Sequence, residues 1–168
     1  MKTLLTTLLL CFGLSVTMKA QTGKQLPTEM VQFFLGNWTG EGAFASGKKI
    51  AADLSFKLSL DSAWIMYEHT DKAPNRYKAL SMWGVDKQTG QLTDYIFDNF
   101  QGHRQFFADG WQEGKLTLTR QIPRPTNNVL YERFRYEKLS SQSFKMSYET
   151  STDADTWKLV DYLTFTRK

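Results

Sequence analysis

The chain has 168 residues, 41% of them hydrophobic and 14% aromatic, and a formal charge of +4 at pH 7. That length suits a single domain with a self-sufficient core. The charge is too small to point to nucleic acid, and no lysine–arginine block occurs.

Residues 1–20 carry Lys2, an apolar run from Leu4 to Val16 and a polar end at Ala20. This is the layout of a secretory signal peptide, with an apolar run too short to span a bilayer as a helix. Cleavage near Ala20 would make the protein an exported one, periplasmic or secreted. The single cysteine, Cys11, leaves with the leader. The mature chain then has no disulfide, no thiolate metal ligand and no thiol nucleophile. Loss of Lys2 and Lys19, the only charges in the leader, takes the formal charge from +4 to +2. No later stretch is apolar for long enough to predict a membrane span.

Residues 21–32 read as a lead-in and the start of a short helix, and residues 33–168 as the folded domain. In "LPTEMVQFFLG" Pro27 stands in the first turn, Glu29 lies near the positive end and Gly36 is the stop. The period then changes to two. In "LGNWTGEGAF", Gly36, Trp38, Gly40, Gly42 and Phe44 share one parity. The stretch lacks the lysine and the following helix of a phosphate loop. It reads instead as a strand whose inner face has been thinned, so that it can bend and be approached closely.

"KIAADLSFKLSL" follows, with Ile50, Ala52, Leu54, Phe56, Leu58 and Leu60 alternating against polar or small residues. Such alternation marks a strand with one buried and one wet face. Eight more candidates are "AWIMYEHT", "YKALSMWGV", "QLTDYIFD", "HRQFFAD", "KLTLTRQ", "NVLYERFRYEK", "SFKMSYET" and "TWKLVDYLTFT". Turn-forming stretches such as "DKQTG", "DNFQG", "DGWQEG" and "STDAD" separate them. The fold class expected is all-β, an up-and-down antiparallel β-barrel of about ten strands with a short N-terminal helix. Closure hides the sheet edges, whereas a two-sheet sandwich would leave them to be protected in other ways.

"GNWTG" after a short helix resembles the opening of the calycins, the superfamily of lipocalins and fatty-acid-binding proteins. "GNWTGEG" is similar to the Gly-X-Trp-X-Gly-X-Gly signature of nitrobindins. The stretch "MWGVDKQTGQLTDYIFDNFQG" through "GKLTLTR" most closely resembles a bacterial exported lipocalin-like family without an assigned activity. The resemblance implies that Trp38 closes one end of the barrel and that Arg167, in "LTFTRK", packs over its ring. It makes Gly36, Trp38, Gly40, Gly42 and Arg167 the expected closure residues. Nitrobindins ligate haem through a histidine near the C-terminal end, but "DTWKLVDYLTFTRK" contains none. No cofactor is therefore expected.

Other chemistry is sparse. Glu68 and His69 are neighbours on a strand and point to opposite faces, so they do not grip one metal ion. No Gly-X-Ser-X-Gly element occurs. The candidate ligand-binding residues are Tyr67, His69, Tyr95, Phe97, Arg120, Phe144, Met146 and Tyr148. Arg120 shares parity with Leu116 and Leu118, and beside Tyr148 it would clamp a carboxylate, as fatty-acid-binding barrels do. Its structural alternative is an ion pair with an acid such as Asp161. In "VLYERFRYE" the face of Tyr131, Arg133 and Arg135 is read as solvated, because arginine is seldom buried without a partner.

The function expected is binding of a small hydrophobic or amphipathic, possibly anionic, molecule inside the barrel. Two alternatives stand beside it: a packed barrel that contacts another envelope protein, and a barrel enzyme of cyclase or isomerase type. A buried His69 or His103 bonded to a carboxylate in the cavity would favour catalysis. Expression of the full chain in a bacterial host should yield an exported polypeptide starting near Gln21, as read by N-terminal sequencing. A membrane-retained polypeptide starting at Met1 would contradict the leader assignment.

Overall fold

The computed structural model describes residues 25–125 and 128–168; the expected leader and its cleavage site lie outside the described residues. A short helix α1 (Thr28–Phe34) precedes ten strands: β1 (Gly36–Phe44), β2 (Lys49–Ser59), β3 (Trp64–Asp71), β4 (Lys78–Val85), β5 (Leu92–Asp98), β6 (Gly102–Ala108), β7 (Lys115–Pro123), β8 (Val129–Ser140), β9 (Ser143–Ser151) and β10 (Lys158–Arg167). Each strand pairs antiparallel with its sequence neighbours, and β1 pairs with β10 to close the barrel. This is the closed up-and-down architecture that alternating strands and short turns predict, and it removes both sheet edges. No helix among the described residues is long and apolar enough to cross a membrane.

Closure depends on the thinned face of β1, where three glycines each make room for β10. A Cβ on Gly42 would fall 1.8 Å from the Tyr162 carbonyl oxygen, and one on Gly40 would fall 2.4 Å from the Phe165 ring. Gly36 has φ +116°, and a Cβ there would press against Arg167 Nη1 at 3.0 Å. Arg167 uses that space. Its guanidinium donates to the Leu35 and Phe33 carbonyls at 2.5 and 2.6 Å, and its centre lies 4.2 Å from the Trp38 ring. One side chain thus caps the C-terminal end of α1, where carbonyls lack helical partners, and covers the tryptophan that seals the barrel.

Trp38 is fully buried and donates from Nε1 to the Phe34 carbonyl at 2.8 Å. Phe33 and Phe34 of α1 insert into this end and meet Trp38, Trp83, Trp111, Tyr136 and Phe144 in edge and tilted contacts. Such geometry favours aromatic clusters over face-to-face stacks. Further in, Phe56 stacks on Tyr67 with centroids 4.4 Å apart. On β2 the inward face ends at Phe56. Leu58 and Leu60 are exposed, and Leu60 already has positive φ in the turn that follows. The alternating pattern outlasts the barrel wall there, because the strand runs past the part of the interior that α1 fills.

Gly42→Ala should destabilise the fold by about 2–3 kcal/mol, since the clash is with backbone rather than a movable side chain. Arg167→Ala should cost about 2–3 kcal/mol through two carbonyl bonds and a cation–π contact. Urea-unfolding midpoints of both variants check this, and midpoints equal to wild type would contradict the account of the seam.

Candidate ligand-binding cavity

Aromatic rings fill the half of the barrel next to α1. Beyond Trp83 and Tyr136 the inward residues become smaller, as at Ile50, Ala79 and Ser81, and a cavity of about 550 Å³ remains. Tyr67, Ile96, Phe134, Tyr136, Met146 and Leu163 form much of its apolar wall. The rim is built from the β1–β2, β3–β4 and β5–β6 connections, which contribute Lys48, Arg76 and Phe100.

The polar groups come from strand parity. Tyr67, His69 and Asp71 alternate along β3, so all three face inward. His69 is 5% exposed; Asp71 accepts from its Nε2–H at 2.8 Å, and Tyr67 Oη lies 3.0 Å from Nδ1. In the neutral ring this fixes one tautomer, with the phenol donating to Nδ1. Burial holds the Tyr67 phenol well above its ordinary pKa, so it serves as a hydrogen-bond donor rather than an acid.

Across the cavity stands Arg104 of β6, 5% exposed. Its Nη2 forms an ion pair with buried Asp98 at 2.7 Å and donates to Tyr77 Oη at 2.9 Å. The rings of Phe106 and Phe134 flank it at 5.7 Å. Asp161 of β10 lines the cavity near the rim and has no hydrogen-bond partner among the described residues. Burial, and then the charge of Asp71, push its carboxyl up to about 6. Asp94 of β5 lies fully buried behind Ser81 and Trp83, neither of which makes an aligned hydrogen bond to it. Burial pushes it up to about 8, against smaller opposing effects of Trp83, Arg104 and Ser81.

Of the residues singled out from sequence, Tyr67, His69, Met146 and Tyr148 line this cavity together. Phe144 does not; it packs at the sealed end, 4.9 Å from Trp38 and 5.1 Å from Phe165. Arg120 has the inward parity read for it, but Glu132 takes its charge at 2.6 Å and it is not part of the cavity wall. Asp161 is not its partner. The outward face of Arg133 and Arg135 is as read, with Glu149 paired to Arg133.

Tyr95 and Phe97 require correction. They are 36% and 53% exposed and lie on the outer surface. Cross-strand partners share a face, and inward Trp83 pairs with Asp94, so Leu92, Asp94 and Ile96 are the inward set of β5. The two aromatics instead pair outside with Met82 and Leu80. Residues missed from sequence are Asp71, Tyr77 and Arg104. Asp71 was legible as the next inward position after His69, and Arg104 as the residue in step with Phe106 and Ala108.

Haem does not fit the histidines present. His69 has both ring nitrogens engaged, and His103 is exposed and paired outside with Phe97. Among the described residues no three His, Cys, Asp or Glu side chains come together as a metal site.

The fold and cavity define the class: a closed, calycin-like antiparallel barrel with an unfilled interior. A scan against protein-family models finds no match, and a search of curated proteins finds no similar chain.

Two carboxyls, fully buried Asp94 and partly buried Asp161, set a pH dependence. Folded Asp161 and Asp94 keep protons that the unfolded chain releases near 3.8, so stability falls as pH rises from about 4. The Asp161 share is complete above about 6 and the Asp94 share above about 8. Asp53 and Asp153, both near 2, titrate below this window. The melting temperature should therefore be higher at pH 5 than at pH 8, and Asp94→Asn should narrow the difference. An unchanged difference in the variant would contradict the placement of Asp94.

Proposed function

We propose that this protein is an exported binding protein that holds a small hydrophobic or amphipathic molecule inside its barrel. One observation supports the reading above the others: the interior is half filled. Protein interiors pack densely, and a void forfeits contacts on every side. A barrel acting purely as a scaffold would gain by closing a space of about 550 Å³. That volume lies in the range of small-molecule sites, roughly 300–1,000 Å³. The walls suit the task as well. Apolar and aromatic side chains supply about 25 cal/mol per Å² buried, before ordering costs, and a few polar groups set orientation.

Catalysis is the second reading, favoured by His69 bonded to Asp71 within the cavity. It ranks behind binding because Tyr67 and Asp71 already occupy both ring nitrogens. A general base needs a nitrogen within reach of the substrate proton.

Fluorescence titration with Nile red tests the binding reading. Uptake should saturate at one dye per barrel. In Ala79→Trp, where an indole is built from the cavity wall, affinity should fall at least tenfold while the far-UV circular dichroism is kept. No uptake by wild type, or equal uptake by a folded variant, would refute it.

A further inference from the structure

We propose that the ligand is an amphipathic amine whose ammonium group sits at Asp161 and Asp71 while its apolar body lies against the aromatic wall. The inference rests on the binding reading above and names the class of molecule bound.

It follows from which charges in the cavity are already satisfied. The inward arginines are both committed: Arg104 to Asp98 and Tyr77, and Arg120 to Glu132. Each charge is thus already met by an acid, although Arg104 Nε remains a buried donor without a partner. Lys48 and Arg76 also border the cavity, but from the exposed rim, where water already solvates them. The carboxylates differ. Asp71, whose side chain is 2% exposed, uses Oδ1 on His69, and its Oδ2 accepts no hydrogen bond among the described residues. Asp161 accepts none at either oxygen. Inside the rim, what these two carboxylates lack is a positive charge.

The two acids line the same cavity, Asp71 from β3 and Asp161 from β10. Burial raises the Asp161 carboxyl, and the charge of Asp71 raises it further. A buried carboxylate without a partner is costly, and a cation relieves it. An ammonium brings one positive charge and three N–H donors. A hydroxyl brings a single donor and no charge, and a carboxylate would be repelled. Aromatic faces at Tyr67, Tyr77 and Phe134 add cation–π attraction.

The titratable and charged groups that line the cavity with Asp161 are Tyr67, His69 and Asp71 of β3, Arg76 and Tyr77 of the β3–β4 connection, Arg104 of β6, Tyr136 of β8, Tyr148 of β9 and Lys48 of the β1–β2 hairpin. Of these, Asp71 acts on its carboxyl. Protonation of Asp161 below about pH 6 should therefore weaken amine binding.

Three probes with one indole skeleton test the assignment by isothermal titration calorimetry: tryptamine, tryptophol and indole-3-propionate. At pH 7.5 tryptamine should bind at least tenfold more tightly than either of the others. That preference should vanish in Asp161→Asn and shrink at pH 5 in wild type, a comparison that needs no variant. Equal or tighter binding of tryptophol or indole-3-propionate would overturn the amine assignment. So would a preference unchanged at pH 5, or no binding of any probe by protein that still takes up Nile red. Failure of the dye and all three probes together would overturn the binding reading as well.

Discussion

The seam between the first and last strands is the constraint on which the rest of the molecule depends. A sheet closes only if its terminal strands approach as closely as internal neighbours. Here the approach is made by what β1 lacks. Gly36, Gly40 and Gly42 stand on one face, and each yields its space to a named group of β10: a guanidinium, a ring and a carbonyl. The freed guanidinium then ties α1 to the barrel through two backbone carbonyls and covers Trp38. Closure and sealing of the end are thus one device, and a cavity exists because both are in place.

From the sealed end outward, the interior passes from dense to open. Large rings meet in edge contacts around Phe34, and the same strands then supply Ala79, Ser81 and Ile50. Polar groups appear where the rings stop. Their charges are unevenly satisfied, because Arg104 and Arg120 each have an acid within 3 Å while Asp161 has no partner. In a medium less polarisable than water such an imbalance is expensive. It is sustained at a surface that meets a ligand more readily than in a sealed core.

Much of the architecture was legible in the residues. Strict alternation from Ile50 to Phe56 and turn formers at each junction gave the strands and the antiparallel order, and the glycines of "GNWTGEG" marked the seam. The inward set at β3 also followed from parity. What failed was choosing a face from the chemistry of one strand alone. Tyr95 and Phe97 look like an inner face, yet pairing of inward Trp83 with Asp94 turns them out. Arg120 was correctly oriented, but its partner Glu132 lies on another strand, and sequence spacing carries no record of that distance. Arg104 was passed over because arginine is a surface residue by default. Its burial depends on Asp98 and Tyr77 arriving from elsewhere in the chain.

The central claim is that the open half of the barrel is occupied when the protein works. Native mass spectrometry of protein purified from its own host tests it most directly. The account predicts a species heavier than the mature polypeptide by one small molecule, released when the barrel is unfolded. The bare polypeptide mass alone, under conditions gentle enough to preserve known non-covalent complexes, would contradict it.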